Sequence, residues 1–117
     1  MIGECKYDHI YLAAGYTDLR CGVSGLASII QNGFHMEPCS NNLYLFCGRR
    51  ADRIKQLYWA GTGFVLVYHR LEQGRFQWPR SPEEVRELTE QQYRWLMEGL
   101  KLDQKQALKP LEGAHVV

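Results

Sequence analysis

Apolar positions in this chain fall into short runs whose period changes along the sequence. Residues 9–14, HIYLAA, make a compact apolar run of strand length that stops at Gly15. From Leu19 the period lengthens. Leu19, Val23, Leu26, Ala27 and Ile30 recur at helical spacing through about Gln31, with Thr17 or Asp18 placed to cap the first free N–H groups. Asn32-Gly33 follows as a helix stop, because both residues tolerate the left-handed backbone of a C-terminal cap. The polar stretch 34–42, which contains Pro38, reads as a connecting loop.

The period then drops to two. In residues 43–47, Leu43, Leu45 and Cys47 fall on one side of a strand and Tyr44 and Phe46 on the other. Gly48 to Asp52 is a polar break. Residues 53–59, RIKQLYW, fit either two helical turns or a strand, and their shortness and Tyr-Trp ending favour a strand. Gly61-Thr62-Gly63 makes a tight turn into residues 64–71, where Val65, Val67, His69 and Leu71 alternate against Phe64, Leu66, Tyr68 and Arg70. Glu72-Gln73-Gly74 reads as a hairpin loop that returns the chain through Arg75 to Trp78 as a further strand.

Pro79 ends the sheet text. Ser81-Pro82-Glu83-Glu84 has the form of a helix start, with a capping Ser, Pro at the first helical position and Glu three residues after the cap. Thr89-Glu90-Gln91-Gln92 repeats it. Two short helices are expected, about 82–88 and 90–99, with Val85, Leu88, Tyr93, Leu96, Met97 and Leu100 facing inward. Beyond Lys101 periodicity fades and Pro110 interrupts. The expected fold is α+β: an antiparallel meander of about four to five strands, packed by an N-terminal helix and two short C-terminal helices. Residues 1–100 form one domain and 101–117 a loosely ordered tail.

Composition narrows the class without fixing it. The 117 residues are 45% hydrophobic and 23% charged, ordinary values for a globular domain, so disorder of the whole chain is not expected. Cys5, Cys21, Cys39 and Cys47 contain no C-x-x-C pair, which argues against a zinc site. With no apolar leader and no run of membrane-spanning length, the expectation is four reduced thiols, a cytoplasmic location and no membrane contact.

Charge changes the picture more. The whole chain is only +1, yet residues 49–80 hold seven cations (Arg49, Arg50, Arg53, Lys55, Arg70, Arg75 and Arg80) against Asp52 and Glu72. A basic partner surface must therefore be a patch rather than a global field. If these positions converge, planar guanidinium donors can meet phosphate oxygens, with Tyr58, Trp59 and Trp78 near in sequence to stack on bases. The competing reading is that the arginines cover the sheet as a solvated layer, pair with the acidic helices, or anchor a protein partner. Catalysis has no comparable support. His9, His35, His69 and His115 are dispersed, and Asp8, Asp18 and Asp52 are too far apart in sequence to suggest a metal cluster. No nucleophile elbow, phosphate loop or H-E-x-x-H occurs. No cofactor is expected.

Four blocks carry a family resemblance: GYTDLR at 15–20, LYLFCGRRADRIKQLYW at 43–59, FVLVYHRLEQGRFQWP at 64–79 and LTEQQYRWLMEGL at 88–100. Together they resemble the small accessory protein of bacterial IS66 insertion sequences, the product of the second reading frame, in register over about residues 9–100. The resemblance implies a non-enzymatic role in DNA transposition beside a separate, larger transposase that carries the acidic catalytic residues. It is compatible with contact to DNA at the element ends, to the transposase, or to both. It transfers no functional residues. Where the family pattern continues GYTDLR with a further basic residue, this chain has Cys21, which weakens any DNA contact made by that helix start.

Overall fold

The computed structural model describes residues 6–104. Five strands form one sheet in the order β4-β3-β2-β1-β5: β1 is His9–Ala13, β2 Asn42–Cys47, β3 Arg53–Trp59, β4 Phe64–Arg70 and β5 Val85–Leu88. The helix α1 (Val23–Ser28) runs into a π-helical turn at Ile29–Gly33, and α2 spans Glu90–Met97. The sheet is covered on both faces. Leu43, Leu45 and Cys47 of β2 enter a core with Ile10, Leu12, Ile54, Phe76, Trp78, Leu88 and Leu96, on the α2 side. Tyr44 and Phe46 enter a second core with Leu26, Ile30 and Leu57, under α1. Residues Leu43 to Cys47 are all buried, as their unbroken apolar run requires of a central strand.

The sheet is mixed, which corrects the expectation of an antiparallel meander throughout. β2-β3-β4 is such a meander, with Cys47 opposite Ile54 and Arg53 opposite Arg70. β1, however, pairs parallel with β2, Ile10 opposite Leu43 and Leu12 opposite Leu45. The reason lies in the connection. A helix and a loop between two strands return the chain to its starting end, so the second strand runs in the same direction as the first. The ambiguous stretch 53–59 is a strand, as its aromatic ending suggested.

Three further expectations are corrected. α1 begins at Val23 rather than near Asp18; Gly22 is its N-cap and no side chain caps it. Asp18 instead accepts from the Arg20 backbone N–H at 3.0 Å, and the Thr17 N–H donates to the Cys47 carbonyl at 2.8 Å, so this segment belongs to the sheet end. Arg75 to Trp78 is not a strand. The Phe76 N–H donates to the Ala51 carbonyl and the Trp78 indole Nε1 to the Ala13 carbonyl, at 2.6 and 2.9 Å, so the segment straps across the strand ends. Its two aromatics are spent on the core, leaving β4 as the sheet edge.

The last correction concerns 82–88. The local signal is real, since the Glu83 N–H donates to Ser81 Oγ at 3.0 Å, but no helix follows. Val85–Leu88 extends instead and pairs antiparallel with the open side of β1, Ile10 opposite Leu88 and Ala13 opposite Val85. A cap contributes about 1 kcal/mol; here the unpaired edge of β1 decides the outcome. The second signal holds. Thr89 and Gln92 form a complete capping box at the start of α2. Leu102 is buried against the α2-side core and Arg86 pairs with Asp103 at 2.7 Å. Of the tail expected over 101–117, residues 105–117 lie outside the described residues.

Trp78 is 7% exposed and its indole N–H is bonded to a strand-end carbonyl, so it is structural rather than a free stacking surface. Trp78→Phe strands that carbonyl and is expected to cost about 1–3 kcal/mol. Urea unfolding followed by circular dichroism should show the midpoint fall with an unchanged slope; an unshifted midpoint would contradict the strap's anchoring role.

Candidate nucleic-acid interface

Two loops leave the carboxyl ends of the parallel neighbours β1 and β2, residues 14–22 and 48–52. In sheets with adjacent parallel strands, loops at this end open a crevice that commonly receives ligands. Here they wall a cleft of about 1010 Å³. One wall is Tyr16 to Arg20, the other Gly48 to Arg50 with Asp52. The floor is the part of β3 and β4 carrying Arg53, Lys55, Leu66 and Tyr68.

The 14–22 loop is held by main-chain bonds and one lysine. The Gly15 N–H donates to the Pro79 carbonyl at 3.1 Å and the Thr17 N–H to Cys47. Lys55 Nζ donates to the carbonyls of Leu19 at 2.6 Å and Cys21 at 3.0 Å. The ammonium thus ties the sheet to the loop, and Lys55 acts in the site chiefly as its fastener.

The other sequence-selected cations are placed as follows. Arg49 and Arg50 are exposed on the wall, and neither has a side-chain partner among the described residues. Arg53 stands directly across from Arg70, a like-charge cross-strand pair that is unfavourable by itself. Each finds only a partial answer: Arg53 Nε lies 3.5 Å from Asp52, and Arg70 lies 3.3 Å from exposed Glu72. Arg53 Nε is buried and makes no hydrogen bond. Arg80 lies outside the main cleft but shares with Arg49 an adjoining hollow of about 400 Å³. Its guanidinium lies over the Tyr16 ring at 5.2 Å, and its Nε donates to Tyr16 Oη at 3.3 Å. Arg75 is exposed on the strap and does not line the cleft.

The structure also brings in residues that the charge pattern passed over. Arg20 joins the same wall, bonded to Asp18 through Nε and Nη2, the latter at 2.7 Å. Tyr16 and Tyr68 are 39% and 51% exposed at the cleft. The strand alternation already set Tyr68 beside Leu66 and Arg70; nothing in it showed that α1 would leave this end of the face uncovered. By contrast, Tyr58 and Trp59, proposed as stacking groups, belong to the opposite end of the sheet, where they line a separate hollow with Lys6, Tyr7 and Cys39. The cleft's cations are Arg20, Arg49, Arg50, Arg53 and Lys55, against Asp18 and Asp52. The lining is therefore net basic.

Among the described residues no three or more His, Cys, Asp or Glu side chains stand close enough to hold a metal. Burial, with Asp52 adding to it, pushes the Cys47 thiol up to about 12, so it is neutral and unreactive near pH 7. His69 packs against Phe76, ring edge to face, and His9 Nδ1 lies 2.7 Å from Glu87. No helix among the described residues is long and apolar enough to cross a membrane.

The hydrogen bonds from the Arg20 side chain and backbone bring the Asp18 carboxyl down to about 2. Asp18 should therefore stay ionised well below the ordinary carboxylate range. Its folded value lies below its unfolded one, so its contribution to stability is present above about pH 3.8 and is lost as pH falls through about 2. Carboxyl carbon shifts followed by NMR between pH 6 and 2 test this. Arg20→Ala removes the side-chain bonds but keeps the backbone one, so its midpoint should rise towards 3.8 without fully reaching it; an identical midpoint in both proteins would show that the side-chain pair does not form.

The family described as IS66 Orf2-like protein matches residues 8–107. The uncharacterized protein y4hO of Sinorhizobium fredii is 33% identical over 91 residues, covering 78% of this chain and 79% of its own length. A second protein of that organism, the uncharacterized y4jC, is 28% identical over 100 residues, 86% of each chain. No solved structure matches significantly. The family match spans the sheet, both helices and both walls of the cleft: this chain belongs to the IS66 Orf2-like family, the accessory proteins of an insertion-sequence class.

Proposed function

We propose that this protein is a non-enzymatic helper in the transposition of its insertion sequence, working with a separate transposase and touching DNA through the cleft between residues 16–20 and 48–52. The observation that carries this reading is the convergence of Arg20, Arg49, Arg50 and Arg53 in one concavity. Arg49 and Arg50 have no partner among the described residues, and Arg53 is set against Arg70. Folding alone gains nothing from such an arrangement, and a phosphate would relieve it. Arg70, Arg75 and Arg80 extend the basic surface beyond the cleft, while Lys55 holds its wall in place.

A second reading, docking on the transposase without DNA, is favoured by a different feature. β4 is a seven-residue sheet edge with Val67 42% exposed, and such an edge can accept a partner strand. The two readings separate experimentally.

An oligonucleotide carrying the element end should bind with an affinity that falls steeply with salt, by about 0.9 log units per log unit of salt for each duplex phosphate neutralised. Arg49→Ala/Arg50→Ala should lower that slope by about 1.8 on duplex, or about 1.4 on a single strand. Absence of binding at low salt, together with co-purification of the transposase that survives Arg49→Glu/Arg50→Glu, would replace the first reading with the second.

A further inference from the structure

Within that reading, we infer that the cleft receives unpaired nucleotides rather than intact duplex, with phosphates on the arginine walls and bases against Tyr68 and Tyr16. The two rings share an arrangement. Each has a cation on one face: Lys55 Nζ lies 6.0 Å from the Tyr68 centroid, and the Arg80 guanidinium 5.2 Å from that of Tyr16. Both cations are themselves bonded, Lys55 to the carbonyls of Leu19 and Cys21, and Arg80 to Tyr16 Oη. The rings are thus held beside a fixed cation while Tyr16 and Tyr68 remain exposed. Large exposed aromatics held beside unpaired arginines in a concavity match what single strands need: a positive groove for the backbone and flat surfaces for the bases. The rings cannot use the faces of bases already stacked in a duplex without a cost of a few kcal/mol per step.

The two helices offer little to a duplex groove. The segment Val23–Ser28 holds no basic residue, and Arg94, the one cation of α2, is bonded to Glu90 and Gln91. Neither helix presents the row of free cations and amides that reads a major groove. The Arg53–Arg70 opposition lies on the same sheet face as Tyr68, since Tyr68 pairs with Lys55 two positions along β3. A backbone phosphate near Arg53 would thus sit within one nucleotide's reach of the Tyr68 ring.

This inference rests on the DNA-binding reading, and the test separates the two. Fluorescence anisotropy at low salt compares three labelled probes of equal length: an oligo-dT single strand, a blunt duplex and an abasic strand. The dT strand is expected to bind at least about tenfold tighter than the abasic strand. Tyr68→Ala should weaken dT binding by about fivefold to a hundredfold, the range for losing one stacked base. The preference for dT over the abasic strand should collapse in the same variant, circular dichroism should show it folded, and Tyr68→Phe should match the parent. Duplex binding equal to or tighter than dT, still lost in Arg49→Ala/Arg50→Ala, would overturn the inference and leave the DNA reading intact. Failure of all three probes to bind would overturn both.

Discussion

The structure depends on one strand being buried on both faces. With Leu43, Leu45 and Cys47 facing one core and Tyr44 and Phe46 the other, β2 has no side left for solvent. At about 25 cal/mol per Å² of apolar surface, five consecutive buried side chains dominate the local balance. Both of its hydrogen-bonding edges are also occupied, by parallel β1 and antiparallel β3. That pairing forces the loops after β1 and β2 to emerge together. The basic cleft is therefore a consequence of topology: Arg20 and Arg49 are far apart in sequence and share a cavity because their strands are parallel neighbours.

The wall next to β1 is an irregular segment with little internal structure, yet it is tightly positioned. Its main chain is bonded to Cys47 and Pro79, and Lys55 reaches it from the sheet. An ammonium bonded to two carbonyls carries its charge at the site without offering many donors to a ligand. Arg49 and Arg50 have the opposite character, being exposed and uncommitted. The cleft's positive charge is thus divided between cations that hold the shape and cations that remain free, with Arg20 shared between Asp18 and the cleft.

How much of this could be read from the chain follows from which interactions were local. Residues 64–70 form a strand without the expected alternation, because as the sheet edge β4 buries no residue. The division of 43–47 between two faces and the helical spacing of Val23, Leu26, Ala27 and Ile30 reflect burial within single elements and reappear intact. The capping box at Thr89 was legible for the same reason. Val85–Leu88 was not, because its state was decided by the open edge of β1, a distant partner that outweighs a Ser81 cap. Phe76 and Trp78 carry strand-like text but answer to Ala51 and Ala13. At the site, the cluster Arg49 to Lys55 was visible as charge. Arg20, Tyr16 and Tyr68 were not, since cavity membership depends on where α1 stops covering the sheet.

The position of β1 has a consequence for how the domain comes into being. Ile10 pairs with Leu43 on one side and Leu88 on the other, so both neighbours of this early strand are made after it. Pairings between distant segments must overcome loop-closure entropy before they stabilise anything, which slows folding. During synthesis, β2, β3 and β4 can zip through short turns while β1 still has a bare edge. That edge closes only once Leu88 has left the ribosome, and the Trp78 bond to Ala13 only shortly before. The cleft wall that follows β1 is consequently among the last parts of the molecule to become fixed, and a nascent chain stopped before Val85 would hold the cations without the frame that positions them.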